Sequence, residues 1–146
     1  MSNPHAELSK RWFEEVWNQR RSATIDELLT PESVGHLESG DVVGIDAFKL
    51  VHADFLRALP DLRVWVEAIV ADGEDVVIRW RASGTHTGDG LGAKATLQPV
   101  SFSGITWHRY RGDKLMEGWN YWNHLALVEQ LRNVGRTRPD TERDRA

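Results

Sequence analysis

"LRVWVEAIVADGEDVVIRWRASGTHTG", residues 62 to 88, holds two alternating runs on either side of a turn. In the first, Leu62, Val64, Val66, Ala68 and Val70 share one parity. In the second, Val76, Ile78, Trp80 and Ala82 oppose Val77, Arg79, Arg81 and Ser83. Alternation of period two sends one set of side chains to a buried face and the other to a solvated one. Asp72-Gly73 between the runs is a hairpin signal, because a tight turn needs a residue that tolerates positive φ. The stretch therefore predicts a long antiparallel hairpin.

The same pattern continues downstream. "VSFSGITWHRY" (residues 100–110) predicts a third long strand, "RGDK" a turn, and "LMEGWNYW" (residues 115–122) a fourth. A glycine-bearing loop, "DGLGAKATLQP", separates the hairpin from the third strand. "NHLALVEQLRN" closes the pattern as a short amphipathic helix.

Upstream the period changes to that of helices. Pro4 follows a capping Asn3, and Leu8, Trp12 and Val16, with Phe13 beside them, fall on one stripe. Thr24 and Glu27 have capping-box spacing at the start of a short helix that stops at Pro31. "SVGHLESGDVVG" reads as glycine-punctuated connection, or at most one brief extended piece. Ile45, Phe48, His52, Phe55 and Leu59 then mark a long helix ended by Pro60. Helices first and hairpin-joined strands after them predict an α+β fold, with helices packed on one face of a curved sheet.

The chain has 146 residues, enough for one domain with a real core. We expect that domain over 1–133 and a charged, disordered tail over 134–146, where "GRTRPDTERDRA" has no apolar pattern. A net charge of −4 gives no footprint for nucleic acid or an anionic membrane. The absence of cysteine excludes disulfides, thiolate catalysis and cysteine-held zinc. The opening "MSNPHAELSKRWFEE" lacks a basic start and apolar run, and no later stretch is apolar enough to span a bilayer, so a cytoplasmic location is expected. "RGD" at residues 111–113 is a turn, and "GDGLG" lacks the spacing of a phosphate loop. No His, Asp or Glu cluster has metal-ligand spacing, so neither a metal nor another cofactor is expected.

Several ordered stretches carry a resemblance: Glu15-Val16-Trp17-Asn18, His36, Pro60-Asp61-Leu62, Arg79-Trp80, Gly84-Thr85-His86-Thr87-Gly88 and the region of Trp119. From about Glu7 to Leu131 the sequence resembles the SnoaL-like polyketide cyclases of the nuclear transport factor 2-like superfamily. The resemblance implies a cone, in which a strongly bent antiparallel sheet covered by N-terminal helices surrounds an apolar pocket. It also implies homodimers through the outer sheet face, which would present Trp65, Ile69 and Val77. The family closes rings by intramolecular aldol condensation, using an aspartate after the tryptophan of the last strand as general acid/base. Here that place reads Trp119-Asn120-Tyr121-Trp122-Asn123, with amides where carboxylates are expected. An amide cannot carry the proton, but it can hydrogen-bond an enolate or a carbonyl.

These considerations define the candidate site. Asn120, inside a strand where no turn is needed, is the candidate polariser. His86, His108 and His36 are candidates to move a proton. Seven tryptophans suit either a bulky core or a cavity with flat walls. Trp12, Phe13, Val16, Phe55, Trp80, Trp119 and Trp122 are the expected walls, with Asn123 either lining the site or capping the last helix. The expected ligand is a small apolar carbonyl-bearing molecule, bound for cyclisation or isomerisation or held without chemistry.

Overall fold

Asn3 starts the first helix by accepting from the backbone N–H groups of His5 and Ala6 at 2.8 and 3.2 Å. A computed structural model describes residues 3 to 132; the tail expected over 134–146 lies outside the described residues. Helix α1 (Pro4–Arg11) runs on into a π-helical turn at Trp12–Asn18, then α2 (Ser22–Leu28), β1 (Val34–Leu37), β2 (Gly40–Val43) and α3 (Ile45–Ala58) follow. The four long strands are β3 (Arg63–Asp72), β4 (Asp75–Thr85), β5 (Pro99–Arg111) and β6 (Lys114–Trp122), and α4 (His124–Arg132) ends the fold.

The four predicted strands join β1 and β2 in one six-stranded sheet of order β2-β1-β6-β5-β4-β3. The sheet is not antiparallel throughout: β1 runs parallel to β6, while every other pairing is antiparallel. The segment read as a connection supplies both strands of this extension, a hairpin pairing Val34–Leu37 with Gly40–Val43. Gly73 and Gly112 each hold φ +60 at the first position of a two-residue hairpin turn, which L-residues resist.

Strand β3 departs from its sequence alternation. Val66 pairs with Trp80 and Ala68 with Arg79, leaving Glu67 as an extra, bulged residue. Beyond it the parity flips, so Ile69 and Ala71 pack on the core while Val70 is 70% exposed. Ile69 is therefore absent from the outer face, contrary to the sequence expectation. A second bulge, at Met116, separates the pairs Arg109–Glu117 and Tyr110–Leu115. The expected capping box is also not formed: α2 starts at Ser22, Thr24 Oγ1 donates to Glu15, and Glu27 pairs with Arg11 and Arg21.

Helices and sheet share one core, in which Val16, Ile25, Leu59, Ile78 and Leu127 are almost fully buried. Each such side chain contributes about 1.5–3 kcal/mol by leaving water. Asn18 fixes the helical layer to the sheet edge: its amide nitrogen donates to Val64 O and its oxygen accepts from Val64 N, at 2.9 and 2.7 Å. Gln130 of α4 likewise clips the backbone of Ser101 at 2.8 and 2.7 Å. The two clips fall at one end of the strands, because Ser101 pairs with Ser83, and Ser83 with Arg63 beside Val64.

Candidate functional site

A cavity of about 420 Å³ lies between the helices and the concave face of the sheet. Its floor is Trp80 of β4, Phe102, Thr106 and His108 of β5, and Asn120 and Trp122 of β6. The π-helical turn contributes Trp12, Phe13 and Trp17, and α3 contributes Phe48, Val51 and Phe55. Four exposed residues, Glu38, Ser39, Asp54 and Arg57, also line it and mark its rim. Gly104 allows the floor to close: a Cβ there would stand 2.5 Å from Trp122 Cβ and 2.8 Å from Trp80 Cζ2. The widened π-helical register carries three aromatic rings of seven consecutive residues onto this cavity.

The polar atoms of the floor are ordered by donor chemistry. Trp80 Nε1 donates to Thr106 Oγ1 at 2.9 Å, and an indole N–H can only donate. The threonine hydrogen passes on to Asn120 Oδ1 at 2.6 Å. This network assigns the orientation of the amide: its oxygen is occupied, and its nitrogen is the free end. Among the described residues Asn120 Nδ2 has no hydrogen-bond partner, and the side chain lines the cavity.

His108 is diagonally across the strand pair, because Thr106 faces Asn120 and His108 faces Gly118 in the register. It is 3% exposed. Its ring stacks on Phe13 and meets Trp12 edge-on, both at centroid distances of 6.0 Å. Burial alone pushes its pKa down to about 3, so the ring is neutral at ordinary pH. Nδ1 lies 2.9 Å from Ser9 Oγ, which lies 2.9 Å from the Tyr110 hydroxyl.

Of the residues expected from sequence, the structure brings Asn120, His108, Trp12, Phe13, Phe55, Trp80 and Trp122 to this cavity. Five others are placed elsewhere. His86 is buried outside the lining: Nδ1 accepts from Thr96 N–H at 3.2 Å and Nε2 donates to Gly90 O at 2.9 Å, which clamps the loop after β4. His36 and Trp119 stack on each other on the convex face, and Asp41 and Glu117 hold the imidazole at 2.8 and 2.7 Å. Those hydrogen bonds raise its pKa, Glu117 contributing most. Val16 is a core residue whose carbonyl accepts from His52 Nε2. Asn123 caps α4, accepting from Ala126 N–H at 3.0 Å.

Sequence reading did not single out Ser9 or Thr106, the groups that orient His108 and Asn120. Thr106 shares strand parity with Phe102 and His108, and that was its one available signal. A serine on a helix stripe carries none. Among the described residues no cluster of three or more His, Asp or Glu could hold a metal ion, and no helix is long and apolar enough to cross a membrane.

The family model for SnoaL-like polyketide cyclase matches residues 7–131. The chain belongs to that family. Solved structures agree with the SnoaL-like fold, an α+β cone of the nuclear transport factor 2-like type. A protein from Jannaschia sp. CCS1 assigned as a SnoaL-like polyketide cyclase is 23% identical, with TM-score 0.82, over 95% of this chain and 99% of that one. IdmH from Streptomyces antibioticus, assigned as a polyketide cyclase, is 24% identical with TM-score 0.78, covering 89% and 99%. AclR from Streptomyces galilaeus, assigned as a hydroxylase, is 26% identical with TM-score 0.77, covering 96% and 87%. No curated protein matches the sequence. In this SnoaL-like chain the position where the resemblance implies an aspartate is the inward-facing Asn120.

Proposed function

We propose that the cavity binds a flat, largely apolar small molecule and that Asn120 Nδ2 donates a hydrogen bond to its carbonyl oxygen. One observation carries this reading: the amide oxygen is tied to Thr106, which leaves the donor end of Asn120 facing an aromatic-walled space. Family membership points the same way, since polyketides are carbonyl-rich. A small-molecule cavity with few, oriented polar groups is the usual form of a binding site.

Turnover as a cofactor-independent cyclase or isomerase is the finer part of the proposal. A proton must then leave the carbon beside the carbonyl and return to the product. Asn120 stabilises the enolate but cannot carry that proton, so turnover requires His108 to present a bare ring nitrogen to the cavity. A second reading, a binder without chemistry, is favoured by the burial that suppresses the basicity of His108. We also place the protein in the cytoplasm as a homodimer. Ile105, Trp107 and Tyr121, which are 47%, 43% and 71% exposed on the convex face, support the dimer.

Anthraquinone and anthracene share a shape and differ in carbonyls. Both should quench the fluorescence of Trp12, Trp17, Trp80 and Trp122. Replacing Asn120→Leu should weaken anthraquinone roughly tenfold and leave anthracene unchanged, the size expected for one hydrogen bond to a buried acceptor. Equal weakening of both, or no quenching by either, removes the proposal. Ring closure of an open-chain polyketide analogue that is lost in His108→Gln would select turnover over simple binding.

A further inference from the structure

Tyr110 and Ser9 are buried, at 1% and 0% exposure, so neither hydroxyl reaches water. Burial pushes the phenol pKa up, and its hydrogen stays on the oxygen. Among the described residues Ser9 Oγ is the partner of that phenol, and a buried O–H without an acceptor is costly. Tyr110 therefore donates to Ser9. Serine has one hydrogen, and with the phenol as donor it goes to His108 Nδ1. Nδ1 is then an acceptor, and the neutral ring carries its hydrogen on Nε2. Among the described residues Nε2 has no partner, in a cavity-lining side chain that is 3% exposed.

We propose that Ser9 and Tyr110 are positioning residues that hold His108 as the Nε2–H tautomer, so that the inner wall offers two donors, Nε2–H and Asn120 Nδ2–H, to one class of ligand: a flat molecule with a negatively charged oxygen, an enolate or a phenolate. This rests on the binding role proposed above and names the ligand class for the same cavity. The donors are diagonal neighbours on one face of the β5–β6 pair. Gly118 leaves room beside the ring, since a Cβ there would stand 3.6 Å from His108 Cδ2. Hydrogen bonds to an ionised acceptor are roughly twice as strong as neutral ones, so a charged oxygen gains more from this pair than a ketone does. The carboxylates that line the cavity do not oppose it from within. Glu38 and Asp54 are exposed at the rim, and Glu117 is engaged by His36 and Arg109 on the other side of the sheet.

Nitrogen NMR of the isotope-labelled full chain reads the tautomer directly. The expected result is a bare Nδ1 and a protonated Nε2 on His108, with Nδ1–H appearing in Tyr110→Phe. A protonated Nδ1 in the wild-type chain overturns the inference. Absorbance titration of 2-naphthol, whose phenolate and phenol forms absorb differently, reads the donors. Bound 2-naphthol should ionise about one pH unit lower in the wild-type chain than in Asn120→Leu, a tenfold preference for the anion. Tyr110→Phe should fall between them, with naphthalene affinity the same in all three. If naphthalene binds and the ionisation of 2-naphthol does not move, the donor pair is wrong and the cavity reading survives. If neither compound binds, both fall together.

Discussion

On the concave face of the sheet Trp80 is 7% exposed and gives its indole N–H to Thr106, whereas on the convex face Trp107 is 43% exposed. The convex rings are held by charge. Arg81 lies 4.0 Å from the centre of Trp65, and Trp119 is sandwiched by His36 at 5.3 Å and Arg109 at 5.1 Å. Ion pairs such as Glu67–Arg81 and Asp75–Arg109 surround them, each partly exposed and worth little alone. Rings are plentiful on both faces, so ring content does not locate a site. What separates the faces is where spare hydrogen-bonding capacity lies. Convex charged groups are paired with one another and a spare convex group such as the Tyr121 hydroxyl is exposed to water, while the free donor ends of Asn120 and His108 belong to side chains that line the cavity.

Truncation should break the symmetry most strongly. Trp80→Ala removes a packed ring and the indole donor to Thr106, and should cost about 3–5 kcal/mol in urea unfolding. Trp107→Ala on the convex face should cost under about 1 kcal/mol at low protein concentration. Equal losses would mean that the convex face is as buried in solution as the concave one. Gly104→Ala comes next. Its methyl would press on Trp122, Tyr121 O and Trp80 within 2.8 Å, and overpacking of this kind costs about 1–3 kcal/mol.

The faces were only partly legible in the sequence. Alternation in 76–82 and 100–110 placed Trp80, Phe102 and His108 correctly, because β4 and β5 are central, regular strands. It failed in β3, where the Glu67 bulge resets the parity and turns Ile69 inward, since a bulge leaves no mark in an alternating pattern. Trp119 was expected on the wall beside Trp122, but odd spacing within one strand puts them on opposite faces. Strand parity with Trp80 points His86 to the apolar side, and the family resemblance points His36 to the pocket mouth. Their ring nitrogens turned out to be committed, one to a loop and the other to two carboxylates. Commitment of a side chain is a property of its neighbours in space. The orientation of Asn120 depends on residues 40 and 14 positions away, Trp80 and Thr106, so no local window contains it.

Titration should separate the faces by sign. His108 and His52 are both held below the usual imidazole value by burial, so the unfolded chain takes up protons that the native chain refuses. Stability should therefore fall as pH drops below about 6.5, and for His108 the fall continues towards about 3 at no more than about 1.4 kcal/mol per pH unit. His36 is raised by Glu117 and Asp41, so its contribution is present below about 6.5 and fades as pH rises through the elevated value. Unfolding free energies of His108→Gln and His36→Gln against pH should thus depart from the wild-type chain in opposite directions. Parallel curves would show that the two histidines sit in equivalent surroundings.

The smallest expected change in stability gives the sharpest comparison. A methyl added by Gly118→Ala would meet His108 Cδ2 at 3.6 Å and Trp107 O at 3.7 Å, ordinary contact distances, and the backbone there is not left-handed. The fold should accept it within about 0.5 kcal/mol. The same methyl occupies the space beside the His108 ring that a bound oxygen needs. Anthraquinone affinity should fall several-fold with Tm nearly constant, whereas Trp107→Phe on the opposite side of the same strand pair should change neither. Binding that survives Gly118→Ala would move the ligand away from His108 towards the rim, and the concave face would then owe its character to packing alone.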